Sequence, residues 1–387
     1  MPILNRVAEM QDEITAWRRH LHTIPEILYD THKTSAYVAE RLREFGCDEV
    51  VTGIGRTGVV GIIKGNLGAG RTIGMRADMD ALPLKEVTGK EWSSTHANAM
   101  HACGHDGHTA MLLGAAKYLA ETRNFAGSVA VIFQPAEEGG AGGKAMVDDG
   151  MMERFGISQV FGMHNMPGLP VGQFAIRTGA IMAGTAEFTI TVKGRGGHAA
   201  MPHRTIDPIV AAAGMITALQ TIASRSIDPV ESVVVSVTKI HAGDAYNIIP
   251  EQVEFAGTIR TLETAVGEMA RERMRAICEG IAAAHGATVN VDIVVNYPVT
   301  VNHADETEFA IGIARGVAGE PNVAVGVPPV MGGEDFSYML EARPGAFIFM
   351  GNGDTANLHN PNYDFNDDAI PHGVSYWVKL AESSLAA

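Results

Sequence analysis

The segment MHACGHDGH packs Cys103 together with His101, His105 and His108 into eight residues. Cys103 and His105 are two apart, so on extended chain they share a side and can grip one ion. Thiolate and imidazole suit zinc and metals of the manganese or cobalt class. Two other readings stay open for this segment alone: a polar loop with incidental histidines, or a Cys103 nucleophile activated by a neighbouring histidine. The run FQPAEEGGAGG shifts the balance towards metal, because it sets Glu137 and Glu138 at the end of an apolar run and before a glycine-rich turn. Adjacent side chains point in different directions, so one carboxylate can hold an ion while its neighbour carries a proton. His164 ends the run QVFGMHN, and His359 follows GAFIFMG in the loop GNGDTANLHN. Each histidine alone reads as structural; together with the other donors they become candidate ligands. Asp78 and Asp80 form a further pair two residues apart in MRADMDALP. One of them can orient a ligand histidine through its second ring nitrogen, or both are turn residues or helix caps.

These side chains need elements that deliver them to one place. Up to residue 180, strand-like runs alternate with helical ones, as in an α/β domain. VVGIIKG, RTIGMRADM, GSVAVIFQP and QVFGMHN are apolar almost throughout, which predicts central strands covered on both faces. Thr109 to Thr122 reads as a helix, and Ile3, Val7, Met10, Ile14 and Trp17 have the spacing of one amphipathic helix at the start of the chain. From 181 to 296 the order becomes strand, helix, two strands, helix, strand, the βαββαβ pattern of a ferredoxin-like unit. Its first helix opens with Asp207 as cap and Pro208 at the first helical position. From 297 to 387 α/β character returns. The expected architecture is therefore an α/β catalytic domain (1–180 and 297–387) with a mixed sheet covered by helices. An inserted ferredoxin-like domain (181–296) would serve as lid and dimerisation element, its sheet edges open to pairing with a second copy.

Composition bounds the partners. With 387 residues, two domains are the natural expectation. A net charge of -15 speaks against nucleic acid and anionic membrane surfaces, both of which reward basic patches. A small-molecule partner fits better. The N-terminal residues lack a signal-peptide pattern, so a mature protein starting there is expected. The longest apolar stretch, 209–223, is shorter than the ~20 residues that cross a bilayer. Cys47, Cys103 and Cys278 are too few and too dispersed for a disulfide framework, which predicts reduced thiols and a cytoplasmic location.

RADMDALP, MHACGHDGH, QPAEEGG, GMHN, KGRGGHAAMPH, GTIR and GGEDFS together resemble the M20 amidohydrolases, in the branch of hippurate hydrolases, N-acyl-L-amino acid amidohydrolases and auxin-conjugate hydrolases. The motifs run from HLHTIPE near residue 20 to His359, almost the whole chain. Where dipeptidase branches of that superfamily have His-x-Asp, this chain has Asp78-Met79-Asp80, as expected where a Cys-His pair supplies ligands instead. The resemblance implies two divalent ions (zinc, manganese, cobalt or nickel) on Cys103, His105, Glu138, His164 and His359, with Cys103 bridging them. Glu137 falls on the family's general base, and Asp80 joins the catalytic set as a supporting carboxylate.

In the inserted domain the resemblance carries over His198 from GGHAAMPH as an oxyanion stabiliser, which in this family can come from a partner subunit. It also carries over Asn247 from AYNIIP and Arg260 from GTIR for binding substrate. The implied reaction is hydrolysis of the amide bond of N-acyl-L-amino acids by activated water, in a homodimer or larger homo-oligomer. The rival reaction is that of a metallo-carboxypeptidase or dipeptidase using the same cage. A catalytically dead binding protein is disfavoured by an intact Glu137 beside five intact ligands.

Overall fold

The computed structural model describes residues 3–387. Its contacts divide into two compact units. One comprises the chain up to Ile181 with Val301–Pro328 and Asp335–Ala387; the other comprises Met182–Thr300 with Pro329–Glu334.

The first unit is built on an eight-stranded mixed sheet. Strands β1 (Glu49–Ile54), β2 (Gly58–Lys64), β3 (Thr72–Asp78), β4 (Ser128–Gln134) and β5 (Ile157–Pro167) lie in the order β1-β2-β4-β3-β5. Gly345–Gly353, Phe174–Ile176 and Val323–Val325 complete it. β4, β3, β5 and Gly345–Gly353 run parallel, while β1 and β2 join antiparallel. Every residue of β3 and β4 after the first is buried, which explains why, Arg76 apart, they show no apolar-polar alternation: a strand covered on both faces has no solvent side to alternate with. The helix His105–Thr122 is likewise buried on nearly all sides. Parallel central strands bring their carboxyl ends to one edge, where open α/β sheets bind ligands.

The expected single N-terminal helix is instead two, Asn5–Glu9 and Gln11–Thr23, divided at Met10. Val7, Met10, Ile14 and Trp17 are all buried in the core across the break.

The second unit has the expected βαββαβ order: Gly184–Lys193, helix Pro208–Leu219, Val233–Ala242, Gln252–Thr261, helix Thr264–His285 and Thr288–Tyr297. Its four antiparallel strands lie in the order Val233–Ala242, Gln252–Thr261, Gly184–Lys193, Thr288–Tyr297, so the second and third are central and the first and last are edges. Alternate residues of Gln252–Thr261 are buried, so one face carries the core and the other stays open. Asp207 caps the first helix by accepting the Ile209 and Val210 N–H groups, as its position before Pro208 predicts. Among the described residues no helix is long and apolar enough to cross a membrane.

Candidate metal centre

The carboxyl ends of the parallel strands deliver the candidate ligands. Asp78 ends β3, Glu137 and Glu138 follow β4, His164 lies near the end of β5, and His359 follows Gly345–Gly353. Cys103 and His105 stand at the start of helix His105–Thr122, whose Gly104 cap is left-handed with φ of 88°. The turn after β4 is tight: Ala136 has φ of 55°, and a Cβ on Gly142 would fall 1.7 Å from the Pro135 carbonyl oxygen. His359 itself has φ of 60°. Such conformations cost of order 1–3 kcal/mol each and tend to persist where a site needs them.

Within the first unit, Cys103, His105, Glu137, Glu138, His164 and His359 come together, supported by Asp78 and Asp80. Cys103 Sγ lies 3.3 Å from His164 Nε2. His359 Nε2 lies 3.3 Å from Glu138 Oε1, and His105 Nε2 lies 4.0 Å from the same oxygen. Two of the donor groups that lie close together are built on the thiol, Cys103 with His105 and His164, and Cys103 with Glu138 and His359. Cys103 belongs to both.

Two observations test whether divalent ions fit here. His105 Nε2 is buried without a hydrogen-bond partner, and the buried Glu138 Oε1 meets only the His359 ring at 3.3 Å, a costly state unless something else satisfies them. The donors are also chemically apt: a thiol, imidazoles and a carboxylate are the ligands that hold zinc and its neighbours. A third grouping, Asp78 with His105 and His108, is geometrically close but fits poorly. His108 has no free nitrogen, since Nδ1 meets Asp78 Oδ1 at 2.7 Å and Nε2 accepts the Asn165 N–H at 3.0 Å.

The electrostatics favour positive charge at the centre. Burial alone would lower the His105 pKa, but Asp78, Asp80 and Glu138 outweigh it and raise it to about 10. Burial would raise the Asp78 carboxyl, yet His105, Arg76 and His108 hold it well below the ordinary range. Burial pushes the Cys103 thiol well above its usual value, with the Glu138 and Glu137 carboxylates adding to it. Without a cation beside it, Cys103 is thus a thiol and a poor nucleophile, which weakens the thiol-hydrolase reading. His164, buried and near His108, is pushed well below its ordinary value and presents a neutral ring.

Asp80 supports more than a single histidine. Its carbonyl accepts His105 Nδ1–H at 2.9 Å, and its carboxylate oxygens accept the Glu137 and Glu138 N–H groups at 3.0 and 3.1 Å. Asp78 hydrogen-bonds His108 at 2.7 Å and lies 3.7 Å from His105 Nε2. Arg76, in the middle of an apolar strand, is buried against Asp78 at 2.6 Å, Asp335 at 3.0 Å and Gln134 at 2.8 Å. Arg76, Gln134 and Asp335 stand in the quoted motifs RADMDALP, QPAEEGG and GGEDFS, but nothing in their spacing showed that they meet, Asp335 lying some 260 positions from Arg76.

The second unit holds the other three expected site residues. His198 is exposed on the short strand Gly197–His198, which pairs with Ile248–Ile249, and the Ala199 N–H donates to the Asn247 carbonyl at 3.0 Å. His198 and Asn247 are therefore neighbours. Arg260 is half-buried on the open face of the central strand Gln252–Thr261.

The family model described as peptidase family M20/M25/M40 matches residues 74–383. The chain belongs to that family. A hippurate hydrolase of Campylobacter jejuni is 43% identical over 382 residues, covering 98% of this chain and 99% of the relative. The thermostable carboxypeptidase 2 of Saccharolobus solfataricus is 44% identical over 387 residues, covering 97% and 96%. The crystal structure of the Bacillus subtilis YXEP protein, described as a dinuclear metal-binding peptidase of the M20 family, superposes with a TM-score of 0.85 at 34% identity, covering 98% of this chain and 99% of that one. Membership of the M20 family and the two donor sets agree on a metal-dependent hydrolase with two divalent ions.

Proposed function

We propose that this M20 hydrolase cleaves the amide bond of N-acyl-L-amino acids, releasing a carboxylic acid and a free amino acid. The observation that carries the reading is the shared donor cluster around Cys103, with the buried Glu137 carboxyl beside it. Similarity to a hippurate hydrolase along nearly the whole of both chains supports the substrate class.

When bound, the divalent ions supply a Lewis acid for the acyl carbonyl and lower the pKa of water to about 7. Cys103, His105, Glu138, His164 and His359 would hold them, Cys103 serving both. Glu137 takes the proton from the attacking water and returns it to the departing amine nitrogen, which leaves poorly as an anion. Its main chain is fixed by Asp80, so the carboxyl does not have to be searched into place. His198 stabilises the developing oxyanion, and Arg260 and Asn247 bind the amino-acid carboxylate, Arg260 with paired hydrogen bonds.

The same reading assigns the second unit a lid and dimerisation role. Its edge strand Val233–Ala242 carries exposed Val234 and Ile240, which suit pairing with a second copy into a homodimer. Three cysteines without disulfides suit a reducing, cytoplasmic setting.

A carboxypeptidase or dipeptidase activity is the second reading, favoured by the Saccharolobus solfataricus relative. One experiment addresses both: purified protein is assayed on N-acetyl and N-benzoyl amino acids and on dipeptides, before and after chelation, with zinc, manganese, cobalt and nickel restored separately. Chelator-sensitive cleavage of the N-acyl amino acids supports the first reading and names the working metal. Preference for peptides supports the second, and chelator-insensitive cleavage returns the chemistry to Cys103.

A further inference from the structure

The candidate ligands are held by two hubs. Asp80 fixes His105, Glu137 and Glu138, which leaves Cys103, His164 and His359 to be positioned by something else. Asn165 occupies that place. It is fully buried, and each of its polar groups is engaged. Its Nδ2 donates to the Cys103 carbonyl at 2.6 Å and lies 3.0 Å from His108 Nε2. Its backbone N–H donates to the same His108 nitrogen at 3.0 Å, and its backbone carbonyl accepts His164 Nδ1–H at 2.7 Å. Its Oδ1 accepts the Tyr363 hydroxyl at 2.8 Å.

The amide can be oriented only one way. The Cys103 carbonyl can only accept, so the nitrogen must face it, which leaves the oxygen for Tyr363. The chain of bonds then fixes two tautomers. His108 Nε2 accepts an N–H and is unprotonated, so Nδ1–H donates to Asp78. His164 spends its Nδ1–H on the Asn165 carbonyl, which leaves Nε2 bare and 3.3 Å from Cys103 Sγ. Tyr363 ties in the third segment, because it follows His359 in the same loop, where the His359 N–H donates to the Ala102 carbonyl at 2.8 Å. Gly104 closes the arrangement: a Cβ there would fall 2.4 Å from Asn165 Nδ2 and 2.5 Å from Tyr363 Oη.

We infer that Asn165, fastened by Tyr363, is a positioning residue that sets the Cys103, His164 and His359 half of the metal cage. The inference rests on the two-ion hydrolase reading above and adds to it a residue that touches neither ion nor substrate. Partners behind a ligand shell change metal affinity by about 10- to 100-fold when removed.

The test uses the full chain with cobalt as probe, in wild type, Asn165→Asp and Tyr363→Phe. Asn165→Asp keeps the shape but sets an oxygen against the Cys103 carbonyl and His108 Nε2. Tyr363→Phe removes only the hydroxyl, and it decides the matter if the first variant does not fold. Affinity comes from chelator competition, and ligand geometry from the visible cobalt bands together with the sulfur-to-cobalt charge-transfer band. The expected result is affinity lower by about 10- to 100-fold for Asn165→Asp and about tenfold for Tyr363→Phe, with shifted cobalt bands, a change that general loss of stability would not produce. Folded variants with wild-type affinity and spectrum overturn the inference while leaving the two-ion reading intact. A wild type that fails to bind two cobalt ions overturns that reading first.

Discussion

The main-chain N–H of Glu137 donates to a carboxylate oxygen of Asp80 at 3.0 Å. The other oxygen of Asp80 accepts the Glu138 N–H at 3.1 Å, so one buried carboxylate holds the proposed base and the proposed ligand beside it in register. Asp80→Ala removes the carboxylate that both N–H groups donate to. At about 1–3 kcal/mol for each buried unsatisfied group, the variant is expected to lose several kcal/mol of stability in urea unfolding. Asp80→Asn keeps one acceptor oxygen and should lose about half as much. Equal stability of wild type and Asp80→Ala would show that the turn holds itself.

Glu137 is assigned to the proton and Glu138 to the ion, although they are adjacent. Glu137→Gln should therefore retain two ions per chain by elemental analysis while kcat falls by about 10²- to 10⁴-fold, the range for loss of a general base. Glu138→Gln should lose metal as well as rate. If Glu137→Gln turned over substrate normally, the division of labour between the two carboxylates would be wrong.

Cys103 appears in two donor groups, one with His105 and His164 and one with Glu138 and His359, whereas His359 appears in one. Cys103→Ala is thus expected to lower the metal content after gel filtration from two ions per chain towards none, and His359→Ala from two towards one. Activity should vanish in the first and fall with occupancy of the second ion in the other. A Cys103→Ala protein that still carries two ions would exclude bridging by the thiol.

Much of the framework could be read in the sequence because burial on both faces leaves a plain signature. Apart from Arg76, the interiors of β3 and β4 are apolar, and both strands end in polar residues beside the site. The inserted unit was legible from element order, and Asp207-Pro208 marked its first helix. Phe174–Ile176 and Val323–Val325, at three residues each, are too short for any period to show, and β1 has a mixed pattern that reads as surface. The candidate ligands were picked out by residue type, and the structure brings them together. What positions them did not: Asn165 meets Tyr363 from 198 positions away, and Arg76 meets Asp335 from 259. Such pairs exist only once the sheet has brought strand ends together, and no local spacing encodes them.

Away from the ions, His22 gives the fold a pH dependence. Its Nδ1 lies 2.7 Å from Asp106 Oδ2 and its Nε2 lies 3.3 Å from Glu86 Oε2. Burial would lower its pKa, but Asp106 and Glu86 outweigh that and raise it to about 9 from 6.5. A folded-state pKa above the unfolded value means the folded protein holds a proton that the unfolded chain releases. The stabilisation is complete below pH 6.5 and is lost as pH rises to about 9, amounting to at most about 3 kcal/mol at about 1.4 kcal/mol per unit. Urea unfolding of wild type and His22→Gln, with the same metal present, should show the variant less stable at pH 6 and the gap closing by pH 9.5. Groups that titrate in both proteins cancel in that difference. A gap constant across the range would show that His22 is neutral in the fold and that its two carboxylates hold it by hydrogen bonding alone.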